Sequence, residues 1–205
     1  MKKMITLLIA ALLAVTITAC SNAPTDSTSS AETSGPSSSQ TSEEEHNAIT
    51  DATQLLNTVW DSYGEADRFP VVGGDASEEH TNMEGPGKYG LEDTATLDAA
   101  LGFPAASVDK IDDAASLMHM MNANTFTCGV YHVTDKTDLE ELVSAIQENI
   151  MNRQWLCGFP DQLVIVTIDN YIVSFFGATD VTDTFQNYLT AAYPSAKVAC
   201  QEPIA

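Results

Sequence analysis

Apolar residues recur at two different spacings along the chain, and the two spacings predict two kinds of element. In three stretches they stand three and four positions apart, which gathers them on one side of an α-helix. In three others they form dense runs of Val, Ile, Phe and Tyr, which favour β-strands. The predicted helices are residues 47–63, 139–150 and 182–193. The predicted strands are residues 125–133, 163–168 and 171–177, with Asp169-Asn170 as a two-residue hairpin turn between the last two.

The segments around these elements are shorter or irregular. Residues 64–90 contain six glycines and are expected to form a long loop. Residues 92–101 predict a short helix, and residues 108–121 predict another. Residues 197–200 are expected to add a short edge strand. Helices followed by a β-α-β-β-α unit predict an α+β fold with a small, mainly antiparallel sheet.

The first 20 residues have the pattern of an export signal. Lys2 and Lys3 precede an apolar run of about a dozen residues, shorter than the roughly 20 that a membrane-spanning helix needs. The run ends in Ile17-Thr18-Ala19-Cys20, which resembles the bacterial lipobox. That resemblance implies cleavage before Cys20, acylation of this cysteine (palmitate among the acyl groups) and a protein held at the outer face of a bacterial cell membrane.

The remaining chain divides in two by composition. Residues 20–45 comprise the lipidated cysteine and a stretch of mostly Ser, Thr, Pro, Ala and Glu, which predicts a disordered tether because it lacks large apolar side chains. Residues 46–205 have the length of a single globular domain. The predicted organisation is therefore a lipoprotein signal peptide over residues 1–19, a tether and one α+β domain.

The charge of the chain limits its partners. The formal net charge is −21, and without residues 1–19 six Lys and Arg remain against 29 Asp and Glu, which makes it −23. Such a chain repels the phosphates of nucleic acid, so nucleic-acid binding is not expected. No cofactor-binding motif stands out in the sequence, and no cofactor is expected.

Once Cys20 is lipidated, three cysteines remain. These are Cys128, Cys157 and Cys200, so at most one intramolecular disulfide can form. A bridge between Cys128 and Cys200 is one interpretation. The other is that the thiols are buried as small apolar groups.

Two groups of residues are candidates for chemistry. In the acidic loop, residues 61–84, the side chains of Asp61, Asp67, Glu79 and His80 could hold a cation such as calcium. Asp67, Asp75 and Glu79 could alternatively serve as the carboxylates of a hydrolase. Met118-His119-Met120-Met121 offers ligands suited to copper(I), although a helix that buries its methionines explains the same residues. No catalytic motif accompanies these groups, so no catalytic residue is assigned.

The second half of the chain resembles a known family. The features are Met120-Met121-Asn122-Ala123 before the first predicted strand, a helix ending near Asn152-Arg153 and the hairpin over residues 163–177. Over roughly residues 90–195 this order is similar to that of small lipoproteins of clostridial-type Gram-positive bacteria. That family is a domain of unknown function, and some members are labelled bacteriocin transport accessory proteins. The chain departs from it in having Gly158-Phe159-Pro160 where a tyrosine-proline is expected.

These observations favour a membrane-anchored binding or accessory module over an enzyme. The resemblance implies a role in export or in cell-envelope processes, with a protein, peptide or envelope component as the partner. The alternatives are a cation-binding surface protein and a hydrolase with a carboxylate site in the acidic loop.

Overall fold

The structure is a computed structural model that describes residues 48–156 and 158–204, which form one compact unit. The helices are α1 (Ala52–Asp61), α2 (Thr94–Leu101), α3 (Leu139–Met151) and α4 (Thr179–Ala192). The strands are β1 (Val71–Val72), β2 (Gly87–Lys88), β3 (Ile111–His119), β4 (Phe126–Val133), β5 (Gln162–Ile168), β6 (Tyr171–Gly177) and β7 (Lys197–Pro203). The predicted signal peptide, Cys20, the tether and Cys157 lie outside the described residues.

The strands form one antiparallel sheet in the order β1-β3-β4-β6-β5-β7, with β2 paired to β3 beside β1. The predicted α+β class is confirmed, and the sheet is mainly antiparallel as expected. It has seven strands. The additional strands are β1, β2 and β3, which lie in segments for which the sequence pattern predicted a loop and a helix.

Helices cover both faces of the sheet. α1 and α4 pack on one face, where Leu56 and Phe185 join a core that includes Cys128 and Val130 of β4. α2 and α3 pack on the other face, over a second core that includes Tyr131. Because successive side chains of a strand point to opposite faces, β4 contributes alternate residues to the two cores. The fold is thus three-layered, with one helical layer on each side of the sheet.

The amphipathic helices form where the apolar spacing predicts them, and capping sets where α1 begins. The side chain of Asp51 accepts a hydrogen bond from the Gln54 N–H at 2.7 Å. Asp113 of β3 accepts another from the Ala52 N–H, also at 2.7 Å. The first turn of a helix has N–H groups without partners, so each carboxylate stabilises the start of α1 and the second fixes it to the sheet.

The predicted hairpin is confirmed. β5 and β6 pair from Ile168 with Tyr171 to Gln162 with Gly177, so Asp169 and Asn170 form the two-residue connection. Asp169 has φ of +51°, in the left-handed region that aspartate tolerates better than most residues.

The helix predicted over residues 108–121 is wrong. Residues 105–110 form a 3₁₀ helix, and β3 follows from Ile111 to His119. Four successive residues of β3, from Ala114 to Leu117, are buried, because the strand has a core on each of its faces. A strand buried on both faces lacks the alternation of apolar and polar residues that distinguishes a strand in sequence. Its pairing with β4 overrides the helical preference of its alanines.

The long loop over residues 64–90 also contains regular structure. It holds a 3₁₀ helix at Glu65–Asp67 and the two short strands β1 and β2, which extend the sheet beyond β3. Among the described residues, no helix combines the length and the apolar character that crossing a membrane requires.

Candidate functional site

One buried serine fastens the glycine-rich loop, residues 73–86 between β1 and β2, to the sheet. The Ser116 hydroxyl accepts a hydrogen bond from the Gly74 N–H at 2.9 Å and donates one to the Gly74 carbonyl oxygen at 3.0 Å. Ser116 lies on β3 and is fully buried. A hydroxyl can donate and accept at once, so this side chain satisfies both polar groups of one loop residue.

Glycines allow the backbone segments of the loop to approach one another closely. A Cβ atom at Gly73 would lie 2.2 Å from the Gly87 backbone nitrogen, and one at Gly74 would lie 2.1 Å from the His80 carbonyl oxygen. Gly73 also exchanges two backbone hydrogen bonds with Asn82, at 2.8 and 3.0 Å. No side chain fits between these segments, so glycine is required at both positions.

The Asp75 carboxylate organises the rest of the loop. Its Oδ1 accepts a hydrogen bond from the Ser77 N–H at 3.0 Å. Its Oδ2 accepts one from the Gly90 N–H at 2.9 Å and lies 2.7 Å from Nδ1 of His80. Burial alone would raise the pKa of Asp75, but these hydrogen bonds outweigh burial and hold the pKa well below its usual range. Asp75 is therefore a fixed anion that shapes the loop.

An apolar cleft of about 430 Å³ lies between the glycine-rich loop, α2 and β3. Val72, Met83, Ala100 and Met118 supply side chains to its walls, and Gly73 and Gly74 supply backbone. This volume is within the range of about 300–1,000 Å³ that is typical of small-molecule sites.

Tyr89 lines the cleft, and its hydroxyl already has a hydrogen-bond partner within the protein. Its hydroxyl donates to the Thr96 carbonyl oxygen at 3.3 Å. Burial, helped by the charges of Asp75 and Asp93, raises the pKa of Tyr89 to about 12. The ring therefore stays neutral at physiological pH and presents an apolar surface to the cleft.

A wider groove of about 820 Å³ runs between α3 and β7. Charged residues of both signs line it, among them Lys136, Glu140 and Lys197. The groove lacks the largely apolar lining of the cleft and the hydrogen-bonded frame that Ser116 and Asp75 supply. The cleft is therefore the better candidate site.

The residues proposed from sequence as a cation site are not gathered together. Asp67 Oδ2 accepts a hydrogen bond from the Tyr188 hydroxyl at 2.7 Å, on the side of the sheet where α4 packs. His80 pairs with Asp75 beside Gly90, while Asp61 and Glu79 are exposed. Within residues 48–156 and 158–204, no group of three or more His, Cys, Asp and Glu side chains could hold a metal ion.

The same separation applies to the carboxylates proposed for a hydrolase. Asp67 accepts a hydrogen bond from Tyr188 of α4, and Asp75 accepts hydrogen bonds from backbone groups in and beside the glycine-rich loop. Glu79 is exposed to solvent. Paired acid–base catalysis needs both groups within reach of one substrate bond, and this arrangement does not provide it.

The Met118-His119-Met120-Met121 segment ends β3 and does not converge on one point. Met118 lines the cleft, whereas Met120 and Met121 are exposed beyond the strand. The His119 ring stacks on Phe69 with 5.6 Å between ring centroids. Its Nδ1 accepts hydrogen bonds from the Met121 and Asn122 N–H groups at 3.2 and 3.3 Å, so His119 closes the turn after β3.

The Cys128–Cys200 bridge is wrong, and both thiols are free and buried. Cys128 belongs to the core under α1 and α4, and Cys200 belongs to the core on the opposite face. Strands β6 and β5 also separate β4 from β7. Burial raises the pKa of Cys128 well above its ordinary value, which keeps it an unreactive thiol.

His132 forms part of a polar contact at the end of β4. Its Nδ1 lies 2.5 Å from Asp112 Oδ1, and its ring centroid lies 4.8 Å from that of Tyr171. His132 lies four positions beyond Cys128 along β4, about 13 Å away at 3.3 Å per residue, which is too far for the two side chains to form a base and nucleophile pair.

Reasoning from sequence missed the residues that build the cleft. The sequence pattern predicts a helix over Ser116 and Met118 and offers Met118 as a copper(I) ligand, and it places Ala100 in the helix predicted over residues 92–101. One available signal was the density of glycines in residues 73–90, since glycine in a sheet region often indicates close approach of backbone segments.

No protein-family model, no curated protein and no solved structure matches the chain. The resemblance to clostridial-type lipoproteins therefore stays a prediction.

We predict that Ser116→Ala loosens the glycine-rich loop. The substitution leaves the Gly74 N–H and carbonyl without their shared partner, and the free energy of unfolding should fall by about 1–3 kcal/mol. Denaturant titration and hydrogen exchange at the Gly74 amide measure the effect. The matched control is Ser144→Ala, an exposed serine on α3, which should change stability by less than about 0.5 kcal/mol. Equal losses for the two variants would contradict the anchoring role of Ser116.

We also predict an acid-dependent stability that originates at Asp75. The folded-state pKa lies below the unfolded value of about 3.9, so the ionised carboxylate stabilises the fold above about pH 4. That contribution is lost as the pH falls from about 4 towards the folded-state pKa. Asp75→Asn should lower stability at pH 7 and flatten the loss below about pH 4. Denaturant titrations at several pH values measure both effects, with the exposed Glu79→Gln as control. An unchanged acid slope in Asp75→Asn would refute the prediction.

Proposed function

We propose that this chain is a membrane-anchored extracytoplasmic lipoprotein whose domain is a non-enzymatic binding module. Its role would be accessory to export or to another cell-envelope process. The anchor is supported by the apolar run and the Ile17-Thr18-Ala19-Cys20 pattern at the start of the chain. The proposed ligand is an uncharged apolar group, carried by a small molecule or by a partner peptide.

The observation that carries the binding role is the apolar cleft next to β3. Its walls come from three separate parts of the chain: residues 72–89, α2 and Met118 of β3. Ser116 and Asp75 hold the loop with hydrogen bonds inside the protein. A site whose frame is already formed loses little conformational entropy when an apolar group enters it.

The chemistry around the cleft favours binding over catalysis. Asp75 is the carboxylate that borders the cleft, and its hydrogen bonds to Ser77, Gly90 and His80 keep it ionised. An ionised carboxylate whose oxygens are already hydrogen-bonded is poorly suited to protonate a leaving group. Tyr89 is likewise engaged with Thr96.

The first test addresses the anchor. In bacterial cells fed an alkyne analogue of palmitate, the full chain should incorporate the label and sediment with membranes. Cys20→Ala should lose both the label and the membrane association, because the lipobox resemblance makes this cysteine the acceptor. Cys200→Ala is the control and should keep the label. Labelling of Cys20→Ala equal to that of the parent would refute the anchor.

The second test addresses the cleft, in a chain that begins at Ser21 and therefore retains both cores. The uncharged dye N-phenyl-1-naphthylamine should fluoresce more strongly when this protein is added. Ala100→Phe should abolish most of the increase, because a benzyl group on α2 fills the cleft. Ala99→Phe is the matched control, since Ala99 is an exposed neighbour on α2 that does not line the cleft. Equal responses from the two variants would rule out the cleft as the binding site.

A further inference from the structure

A depression of about 680 Å³ lies where β3 begins and β4 ends, and its lining is largely polar. We call it the polar depression. Along its floor, Asp113 of β3 lies opposite His132 of β4, which in turn lies opposite Tyr171 of β6. The other residues that line it are Ile49, Thr50, Asp112, Asp169 and Asn170. The depression shares no residue with the apolar cleft.

A bulge in β3 brings two aspartates to one histidine. The register shifts between Ile111 and Asp113, so Asp112 is an additional residue of β3 without a partner of its own on β4. Such a bulge changes the direction of the side chains around it. Asp112 Oδ1 lies 2.5 Å from His132 Nδ1, whereas Asp113 Oδ2 accepts a hydrogen bond from the start of α1. Each carboxylate therefore keeps a second oxygen for another donor.

Tyr171 provides an independent indication of a ligand. Its side chain is buried, with only 8% of the residue exposed, and its ring centroid lies 4.8 Å from that of His132. Within the described part of the chain its hydroxyl makes no hydrogen bond, and protein atoms do not fully enclose it. A tyrosine buried to this extent usually has a partner for its hydroxyl. Because Tyr171 lines the polar depression, a bound ligand can supply that partner.

The hydroxyl of Tyr171 lies in a negative field. Burial raises the pKa of Tyr171 to about 12, and the charges of Asp113, Asp51 and Asp112 add to the effect of burial. The phenol therefore stays neutral at physiological pH. A neutral phenol oxygen accepts hydrogen bonds, so it can serve a positively charged donor that the carboxylates attract.

Three carboxylates line the polar depression, and no Lys or Arg does. Asp112 and Asp113 belong to β3, whereas Asp169 belongs to the turn between β5 and β6. Because β4 separates β3 from β6, the two positions are about two strand spacings apart, or about 10 Å. Among the described residues, no three such side chains converge to hold a metal ion. The arrangement suits an extended cation better than a single metal ion.

The lysines at this end of the sheet lie outside the polar depression. Lys110 forms ion pairs with two carboxylates at the start of α3, at 3.1 and 2.8 Å. Lys136 and Lys197 line the groove between α3 and β7. Asp169 lines both this groove and the depression, so the two lysines weaken its field without entering the depression. The field of Asp112 and Asp113 is the stronger part of the attraction.

We propose that the polar depression binds a linear aliphatic polyamine. One ammonium group lies at Asp112 and Asp113, another lies at Asp169, and the Tyr171 hydroxyl is a further acceptor. This site is additional to the apolar cleft and does not depend on the function proposed above.

The chemistry of an alkylammonium chain matches the lining of the polar depression. An ammonium group donates three hydrogen bonds and accepts none, and carboxylate and phenol oxygens are acceptors. The face of the Tyr171 ring attracts a cation as well. Half-buried Ile49 offers apolar surface to the methylene groups between two ammonium groups. A hydrated metal ion has no such methylene groups and gains nothing from this surface.

Calorimetric titration with spermidine tests the proposal on the chain that begins at Ser21. The salt concentration is about 0.15 M, where long-range attraction between exposed charges is screened. The parent should bind one equivalent with a saturable heat. Tyr171→Phe keeps the ring and removes the hydroxyl, so it should weaken binding about two- to tenfold. Asp112→Asn combined with Asp169→Asn should weaken it about tenfold, since two charge pairs are lost.

The controls separate local from general effects of charge. Glu65→Gln combined with Glu79→Gln removes two charges from exposed positions outside the polar depression and should leave the affinity unchanged. Ala100→Phe fills the apolar cleft and should also leave it unchanged. Asparagine tolerates the φ of +51° at position 169, so the melting temperature of the variant that carries it should match that of the parent.

Three results would overturn the inference. One is a parent chain that gives no saturable heat with spermidine. Another is equal weakening by the double variant of the depression and by its control, which would mean general attraction to an acidic chain. The third is displacement of spermidine by an equal concentration of magnesium, which would mean an ordinary counterion. None of these results would change the palmitate labelling at Cys20 or the dye binding in the cleft.

Discussion

Burial of the central strands on both faces is the constraint on which the rest of the structure depends. All seven residues of β6 and six of the seven residues of β5 are buried. Each large apolar side chain so buried contributes about 1.5–3 kcal/mol, but only if helices cover both faces of the sheet. The apolar stripes of α1 and α4 meet one face, and those of α2 and α3 meet the other. The ends and edges of the sheet lie outside these two cores.

At the edge of the sheet next to β3, hydrogen bonds and glycine residues shape a cleft. Two short strands extend the sheet there, and a cleft lies between the connection that joins them, α2 and β3. The cleft depends on the Ser116 hydroxyl, which hydrogen-bonds both the N–H and the carbonyl oxygen of Gly74. It also depends on glycines that allow backbone segments to pack closely. The acidic residues of this region have mainly structural partners. Asp75 shapes the glycine-rich loop, and Asp67 connects the segment after α1 to Tyr188 of α4.

The two ends of the sheet differ in physical character, although the same strands run to both. At one end, aspartates gather beside the start of the described chain. At the other, the connections before β4 and β5 carry exposed Met, Leu and Phe side chains and the exposed carboxylate of Asp161. The formal charge of −21 describes the chain as a whole and does not show where the exposed apolar side chains lie.

Local patterns in the sequence determined the α+β class, the amphipathic helices and the β5–β6 hairpin, because each depends on spacing within a short segment. The pattern ending at Cys20 predicts export. Tertiary structure decided β3, whose residues from Ala114 to Leu117 show no alternation because both faces of the strand are buried. It also decided that Cys128 and Cys200 lie in different cores, that the proposed cation ligands are apart, and that a cleft exists beside β3. These features join residues distant in sequence, and only pairing and packing across the sheet bring such residues together.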